Sequence, residues 1–347
     1  LPIDPASRSF SVQGPALQCS ENGNLLSVQS SRVAFVFDKS TGLVTSYKVK
    51  GTEYFHEGFG IQPNFWRAPN DNDYGSQMPK RLQIWKQSSK NFNVVDASLA
   101  MDGKDAVLKV SYLLAAGNLY IATYRIHPSG VVKANYTFTS TEMEASEATL
   151  MATFTPGNEA IRKESSKLVV PRIGVRFRLP AEMEQVTYFG RGPEENYCDR
   201  NNGTLVGEYQ ATAEQMYFPY VRPQENGHHT DTRWLMLKKK NGKGLAVYAD
   251  GTLEFNSLRN SIEDFDGEEA THRDYQWGNR DAEELKHDVS TAKNIKPRHT
   301  HINDITPRDF VEVCLDMRQM GVGGFDSWGA VPDPQYLIPA NKEYQWG

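Results

Sequence analysis

The sequence is short of cysteine, of helical periodicity and of long apolar runs, and each shortage removes a class of protein. Its three cysteines, Cys19, Cys198 and Cys314, are an odd and scattered set. They make no disulfide framework, and no two stand at a metal-ligand spacing, so each reads as a packing thiol. No apolar stretch approaches the ~18 residues that a membrane-spanning helix needs. Basic residues are outnumbered: 38 lysines and arginines face 43 acids, giving a net charge of -5. The longest basic run, Lys238 to Lys240, adjoins Asn241-Gly242 and reads as a solvated hairpin turn. The expected partners therefore include neither nucleic acid nor a membrane. The chain opens at Leu1 without a methionine or a signal-like apolar stretch, which reads as a piece of something longer or a trimmed chain. The compartment, cytoplasm or periplasm, stays open.

What is present is β signal. Hydrophobic residues make up 39% of the 347 and aromatics 11%, enough for a substantial core. Arg32 to Gly51 holds two alternating runs joined by a glycine-closed turn at Asp38 to Gly42. Tyr120 to Ser140 repeats the plan around Pro128-Ser129-Gly130, and Thr232 to Asp250 does so around Asn241-Gly242. Val169 to Pro180 and Val186 to Gly192 read as further strands. Along Asp309 to Gln319, Val311, Val313, Leu315 and Met317 alternate with Phe310, Glu312, Cys314 and Asp316, which predicts one buried face. Helical signal is thin, confined to Glu263 to Tyr275 and to Asn279 to Val289. Residues 1–20, with three prolines, read as an extended lead-in. Residues 21–347 carry no linker and read as one large, all-β, antiparallel sandwich domain.

Chemistry concentrates in four loops. Phe65 to Gly75, "FWRAPNDNDYG", groups Asp71, Asn72 and Asp73 behind Arg67, either as a polar wall fixed by the guanidinium or as an Asx-rich turn bonding its own backbone. Tyr188 to Arg200, "YFGRGPEENYCDR", presents Glu194, Glu195, Asn196 and Asp199. Adjacent glutamates on an extended segment point to opposite sides, so they are a poor retaining pair, whose carboxyls stand roughly 5 Å apart. The plainer reading has Glu195 or Asp199 satisfying buried backbone or pairing with Arg191 or Arg200. Met216 to Trp234 brings aromatics, Arg222, Glu225, His228 and His229. The two histidines lack a third ligand at a diagnostic spacing, and Glu225 with His228 would suit acid–base work on a sugar hydroxyl; the plainer reading is a structural glutamate in the turn before Asn226-Gly227. Last, Gly321 to Gln335, "GVGGFDSWGAVPDPQ", puts Trp328 in a loop too rich in glycine and proline to bury it. An exposed indole beside Asp326 suits stacking on a pyranose face; the bland alternative folds it back as a plug.

The four segments "WRAPNDND", "GRGPEENYCDR", "MYFPYVRPQENG" and "GVGGFDSWG", in this order and spacing, resemble the C-terminal part, or small chain, of the large bacterial β-galactosidases of glycoside hydrolase family 2. The resemblance covers nearly the whole chain. It implies a β-supersandwich similar to the galactose-mutarotase fold. It also implies that the catalytic carboxylates and a divalent metal lie on a (β/α)8 barrel earlier in the parent, so that this chain holds no catalytic residue and no cofactor of its own. The implied partners are a galactoside and that barrel, with a homo-oligomeric parent left open. Trp328 takes the role of the family's sugar or aglycone platform, with Asp326 beside it, and Arg67, Asp71 and Asp73 become candidates for the pocket wall. Phe325 departs from the best-known bacterial member, which has a second acid there, and the charged stretch 281–301 looks long. A stand-alone sugar-binding module, or an epimerase using Glu225 with His228 or His229, are the alternatives.

Overall fold

The computed structural model describes residues 14–139, 169–266, 301–326 and 330–347. Among the described residues the strands form three antiparallel sheets. The first runs β1 (Gln18–Asn22), β2 (Leu25–Gln29), β3 (Val33–Asp38), β4 (Leu43–Val49) and β5 (Thr52–Glu53), in that spatial order. The second places β7 (Asn93–Asp102), β8 (Asp105–Leu113), β9 (Leu119–Ile126) and β10 (Val132–Thr139) side by side, with β17 (Tyr344–Trp346) closing the far edge. The third has seven strands in the order β13 (Leu205–Thr212), β12 (Gln185–Gly192), β14 (His229–Lys238), β15 (Gly244–Leu258), β16 (Phe310–Gln319), β11 (Arg172–Pro180) and β6 (Gln62–Asn64).

Period-2 alternation forms these strands and orients them. In β8, Ala106, Leu108, Val110 and Tyr112 are buried, while the intervening residues are at least partly open. Aromatic contacts join the three sheets into one core. Phe35 meets Tyr124 at 5.6 Å between the first and second sheets, and Phe55 meets Phe177 at 5.8 Å between the first and third. Tyr120 of the second sheet packs edge-on against Phe65 at 5.2 Å and donates its hydroxyl to Gly174 O of the third at 3.4 Å. A buried phenol needs such an acceptor.

The seven-stranded sheet has two unlike faces. Ile173, Val175 and Phe177 of β11, Val313 and Leu315 of β16, and Leu253 and Phe255 of β15 make an apolar face. On the other, Arg176 and Arg178 stand in register with Cys314 and Glu312, and Asn256 and Glu254 with Cys314 and Asp316. The alternation in β16 predicts burial on one face alone, yet Glu312, Cys314 and Asp316 are as buried as Val313. The reason is position: β16 lies between β11 and β15, and loops cover its polar side. Opposite charges on the neighbouring strand make that burial tolerable. A bulge between Ile173 and Gly174 brings the chain so close to Asp316 that a Cβ at Gly174 would lie 2.1 Å from its Oδ1.

Two boundaries differ from the sequence reading. The first strand begins at Gln18, inside the stretch read as a lead-in. Helix α3 (Gln83–Lys90), preceded by α1 (Asp71–Gly75) and α2 (Met78–Arg81), has no counterpart in the sequence reading, although Leu82, Trp85, Ser88 and Ser89 are buried at helical spacing. A short α4 (Ile262–Phe265) opens the first predicted helical segment. The rest of that segment, and Asn279 to Val289, lie outside the described residues.

Candidate functional site

The four chemistry-bearing loops meet at one end of the seven-stranded sheet. Local backbone chemistry builds the first. Asn70 caps α1 by accepting from Asp73 N at 2.8 Å, and the Asp73 carboxylate accepts from Asn70 N at 3.0 Å. This reciprocal box fixes the turn. Trp66 anchors the loop by donating its indole N–H to Asp266 at 2.7 Å. Asp71 then projects outward to Arg222 of the third loop at 3.0 Å, while its backbone N–H donates to Gln224 Oε1 at 3.3 Å. The second and third loops are tied through Glu195, which accepts from Gly227 N at 2.7 Å, from Arg200 at 2.6 Å and from the Tyr220 hydroxyl.

The fourth loop is held at its base by the first and second loops. The Asp199 carboxylate accepts from Val322 N at 3.0 Å and from Gly323 N at 2.8 Å. Arg67 donates to Gly321 O at 3.2 Å, and Asn70 donates to Val322 O at 3.3 Å. These contacts account for the glycines. A Cβ at Gly321 would meet Asp199 Oδ2 at 2.5 Å, and Gly323 and Gly324 have φ of +65° and +100°. Beyond the clamp the chain turns outward: Phe325 is 75% exposed, and Ala330 N donates to the Asp326 carboxylate at 3.1 Å. Residues 327–329, and with them Trp328, lie outside the described residues.

Beneath the loops sits a closed charge cluster on the polar face of the sheet. Arg172 lies 3.1 Å from Asp316 and 3.5 Å from Glu225, and donates to Asn256 Oδ1 at 2.6 Å and to Gln319. Asn256 uses its amide in full, donating to Glu225 at 3.0 Å and to Asn226 O at 2.9 Å. His228 Nδ1 lies 2.9 Å from Asn256 Oδ1 and its Nε2 lies 3.0 Å from the Glu254 carboxylate, so a charge on the ring would meet an acceptor at each nitrogen. Burial works against that charge, yet the Glu254 carboxylate outweighs it and holds His228 above its ordinary value. Burial pushes the Asp316 carboxyl up to about 7, with the Arg172 guanidinium opposing. His229, the first residue of β14, points to the other face, stacked on Phe255 at 5.2 Å and edge-on to Tyr188 at 4.9 Å. There burial lowers it to about 4, outweighing the carbonyls of Pro193 and Gly227.

This arrangement decides between roles. The histidines face opposite sides of a strand, so they do not form a ligand pair. Glu225 and His228 do meet in one network, but Glu225 is 7% exposed and His228 fully buried. The cavity between Arg172, Glu225, Asn256 and Cys314 measures about 20 Å³, room for a water molecule and not for a hexose. The cluster is therefore a scaffold, and the epimerase alternative lacks a pocket there. Arg67 and Asp73 pair at 2.9 Å with both buried, so they brace the loops, whereas Asp71 and Asp326 are exposed at the rim. Arg172, Glu254 and Asn256 are not singled out by the sequence, and Asp316 reads there only as part of the face opposite the buried one, because alternation in a strand does not tell a solvated face from a covered polar one. The signal that reveals them is opposite charge on paired strands: three arginines at 172, 176 and 178, against acids at 312 and 316.

A mostly antiparallel β protein, whose described residues form three sheets knit by four loops at one end, is thus the class. The Beta galactosidase small chain family matches residues 29–347, and the chain belongs to it. A beta-galactosidase of Priestia megaterium is 28% identical over 346 residues, 99% of this chain and 28% of that protein. One of Streptococcus thermophilus is 26% identical over 350 residues, again 28% of its length. The beta-galactosidase of Kluyveromyces lactis is 28% identical over 67% of this chain. The chain thus spans little more than a quarter of the length of these bacterial relatives, 28% in each. An Escherichia coli structure described as an aldose 1-epimerase aligns over 95% of this chain at 7% identity, with a TM-score of 0.35.

Proposed function

We propose that this chain is the C-terminal domain of a β-galactosidase that hydrolyses terminal β-D-galactosides with retention. The catalytic carboxylates, and the divalent metal expected of the parent, belong on this reading to a barrel domain upstream. The chain supplies the rim: loop ends that expose Asp71 and Asp326, with Trp328 as the expected sugar platform. The carrying observation is the contrast between a filled interior, with a cavity of about 20 Å³, and four loops converging on one end that exposes Phe218, Val221 and Phe325.

Sugar positioning follows from stacking and from hydroxyl contacts. An indole covers the C–H face of a pyranose, and carboxylates at its edge accept from hydroxyls. Such contacts orient the sugar for attack by a nucleophile held elsewhere. Half a pocket leaves most hydroxyls in water, so the chain alone is expected to bind galactose and lactose weakly. Titration calorimetry of the purified chain checks this. Undetectable or millimolar binding supports a rim that is completed by another domain. A low-micromolar constant overturns it in favour of a self-sufficient sugar-binding module.

A further inference from the structure

We infer that Asp199 is a positioning residue for substrate binding in the parent enzyme, acting through the backbone of Gly321 to Gly324. The inference rests on the reading of Trp328 as the sugar platform. Consecutive peptide groups of this segment are gripped from both sides. Their N–H groups at 322 and 323 donate one each to the two oxygens of Asp199, at 3.0 and 2.8 Å. Their carbonyls at 321 and 322 accept from Arg67 and Asn70 at 3.2 and 3.3 Å. Both bonds to the Asp199 carboxylate are charge-assisted and short, whereas on the other side only the longer Arg67 bond is charge-assisted and the Asn70 bond is neutral, so Asp199 is the stronger side of the grip.

The glycines require such a grip. Glycine loses more freedom on ordering than any other residue, so a free glycine-rich loop resists taking one shape. Here the same glycines admit the carboxylate: any side chain at Gly321 would displace Asp199. Asp199 is itself held. It lies in a turn where Tyr197 N and Arg200 N each donate to the other's carbonyl, at 3.2 and 2.8 Å. The Tyr197 ring stacks on His228 at 5.3 Å, which ties the clamp to the buried charge cluster. The scaffold thus reaches the N–H groups of Val322 and Gly323 through one carboxylate. Without it, only a fraction of molecules would present the chain leading to Trp328 in the competent direction. Apparent affinity falls by that fraction, while bound substrate reacts as before.

The test is a double-mutant cycle in the full-length parent enzyme with an aryl β-galactoside. Asp199→Ala is expected to raise KM about tenfold and to change kcat less than about threefold, with Tm lowered by a few degrees at most. Asp199→Asn, which keeps one acceptor, should lie between wild type and Ala. In a Trp328→Ala background, Asp199→Ala should add less than about twofold, because the two act through one loop. A raised KM in Trp328→Ala beside an unchanged KM in Asp199→Ala overturns the clamp alone. So does an Asp199→Ala effect of equal size in both backgrounds. An unchanged KM in Trp328→Ala overturns the platform reading, and the role of Asp199 with it. Should Asp199→Ala fail to fold, the Asn variant decides by the same criteria.

Discussion

Arg172 and Arg222 are both arginines paired with an aspartate about 3 Å away, and their surroundings separate them. Arg172 and Asp316 are buried to 1% and 0% side-chain exposure, amid Asn256, Glu225 and Gln319. Arg222 and Asp71 keep 30% and 61% of their side chains in water. In the first region desolvation is large, and every partner is needed to offset it. In the second, water screens the pair and little depends on it. Charge density alone therefore does not mark a site. The buried cluster has no room for a sugar, and the rim, with weaker contacts, has surface to give.

The comparison is most exposed to failure at its buried end. Arg172→Ala leaves Asp316 and Glu225 without their cation and should destabilise the chain by about 3–5 kcal/mol, read by urea unfolding. A loss near that of a surface substitution would remove the scaffold reading. Protonation gives the next largest effect. Folded His229 sits at about 4 against an ordinary 6.5, so folding favours its neutral form. Stability is intact above pH 6.5 and falls as pH drops towards 4, by about 3 kcal/mol at roughly 1.4 per unit. His229→Gln should flatten that acid limb in a pH series of unfolding curves. His228 shifts the other way, so its contribution is full below pH 6.5 and is lost as pH rises through the folded value. His228→Gln should flatten the alkaline limb and leave the acid one.

At the rim the effect should move from stability to kinetics. Stacking an indole on a sugar removes on the order of 100 Å² of apolar surface from water, worth about 2–3 kcal/mol. In the parent, Trp328→Ala should raise KM roughly 30- to 150-fold with kcat less affected and Tm nearly unchanged. Trp328→Phe should recover part of it. Unchanged kinetics with a large fall in Tm would make Trp328 a plug. Smallest of all, Asp71→Ala should shift stability by about 1 kcal/mol or less, as for exposed pairs.

Much of this was legible in the sequence. The turns at Asp38 to Gly42 and Asn241-Gly242 sit between β3 and β4 and between β14 and β15, because glycine there takes positive φ of +72° and +84°. The pairing of Glu195 with Arg200, and the use of Asp199 on backbone, follow the plainer reading of that loop. Position within a sheet was not legible. Alternation gave the two faces of β16 but not the loops that bury its polar one. Helix α3 hid because its buried face is half serine: Ser89 accepts from Phe65 N at 2.7 Å, a role no hydrophobic pattern carries. Arg67 and Asp73 were legible as chemistry and not as location, since a buried brace and a pocket wall use the same residues.

The account turns on whether this chain holds a rim without catalysts. The direct measurement is hydrolysis of an aryl β-galactoside by the purified chain, alone and mixed with the separately produced upstream part of its parent. Release of the aryl group should match the buffer blank for the chain alone and appear on mixing. Turnover by the chain alone, above the blank and proportional to its concentration, would contradict the division of labour.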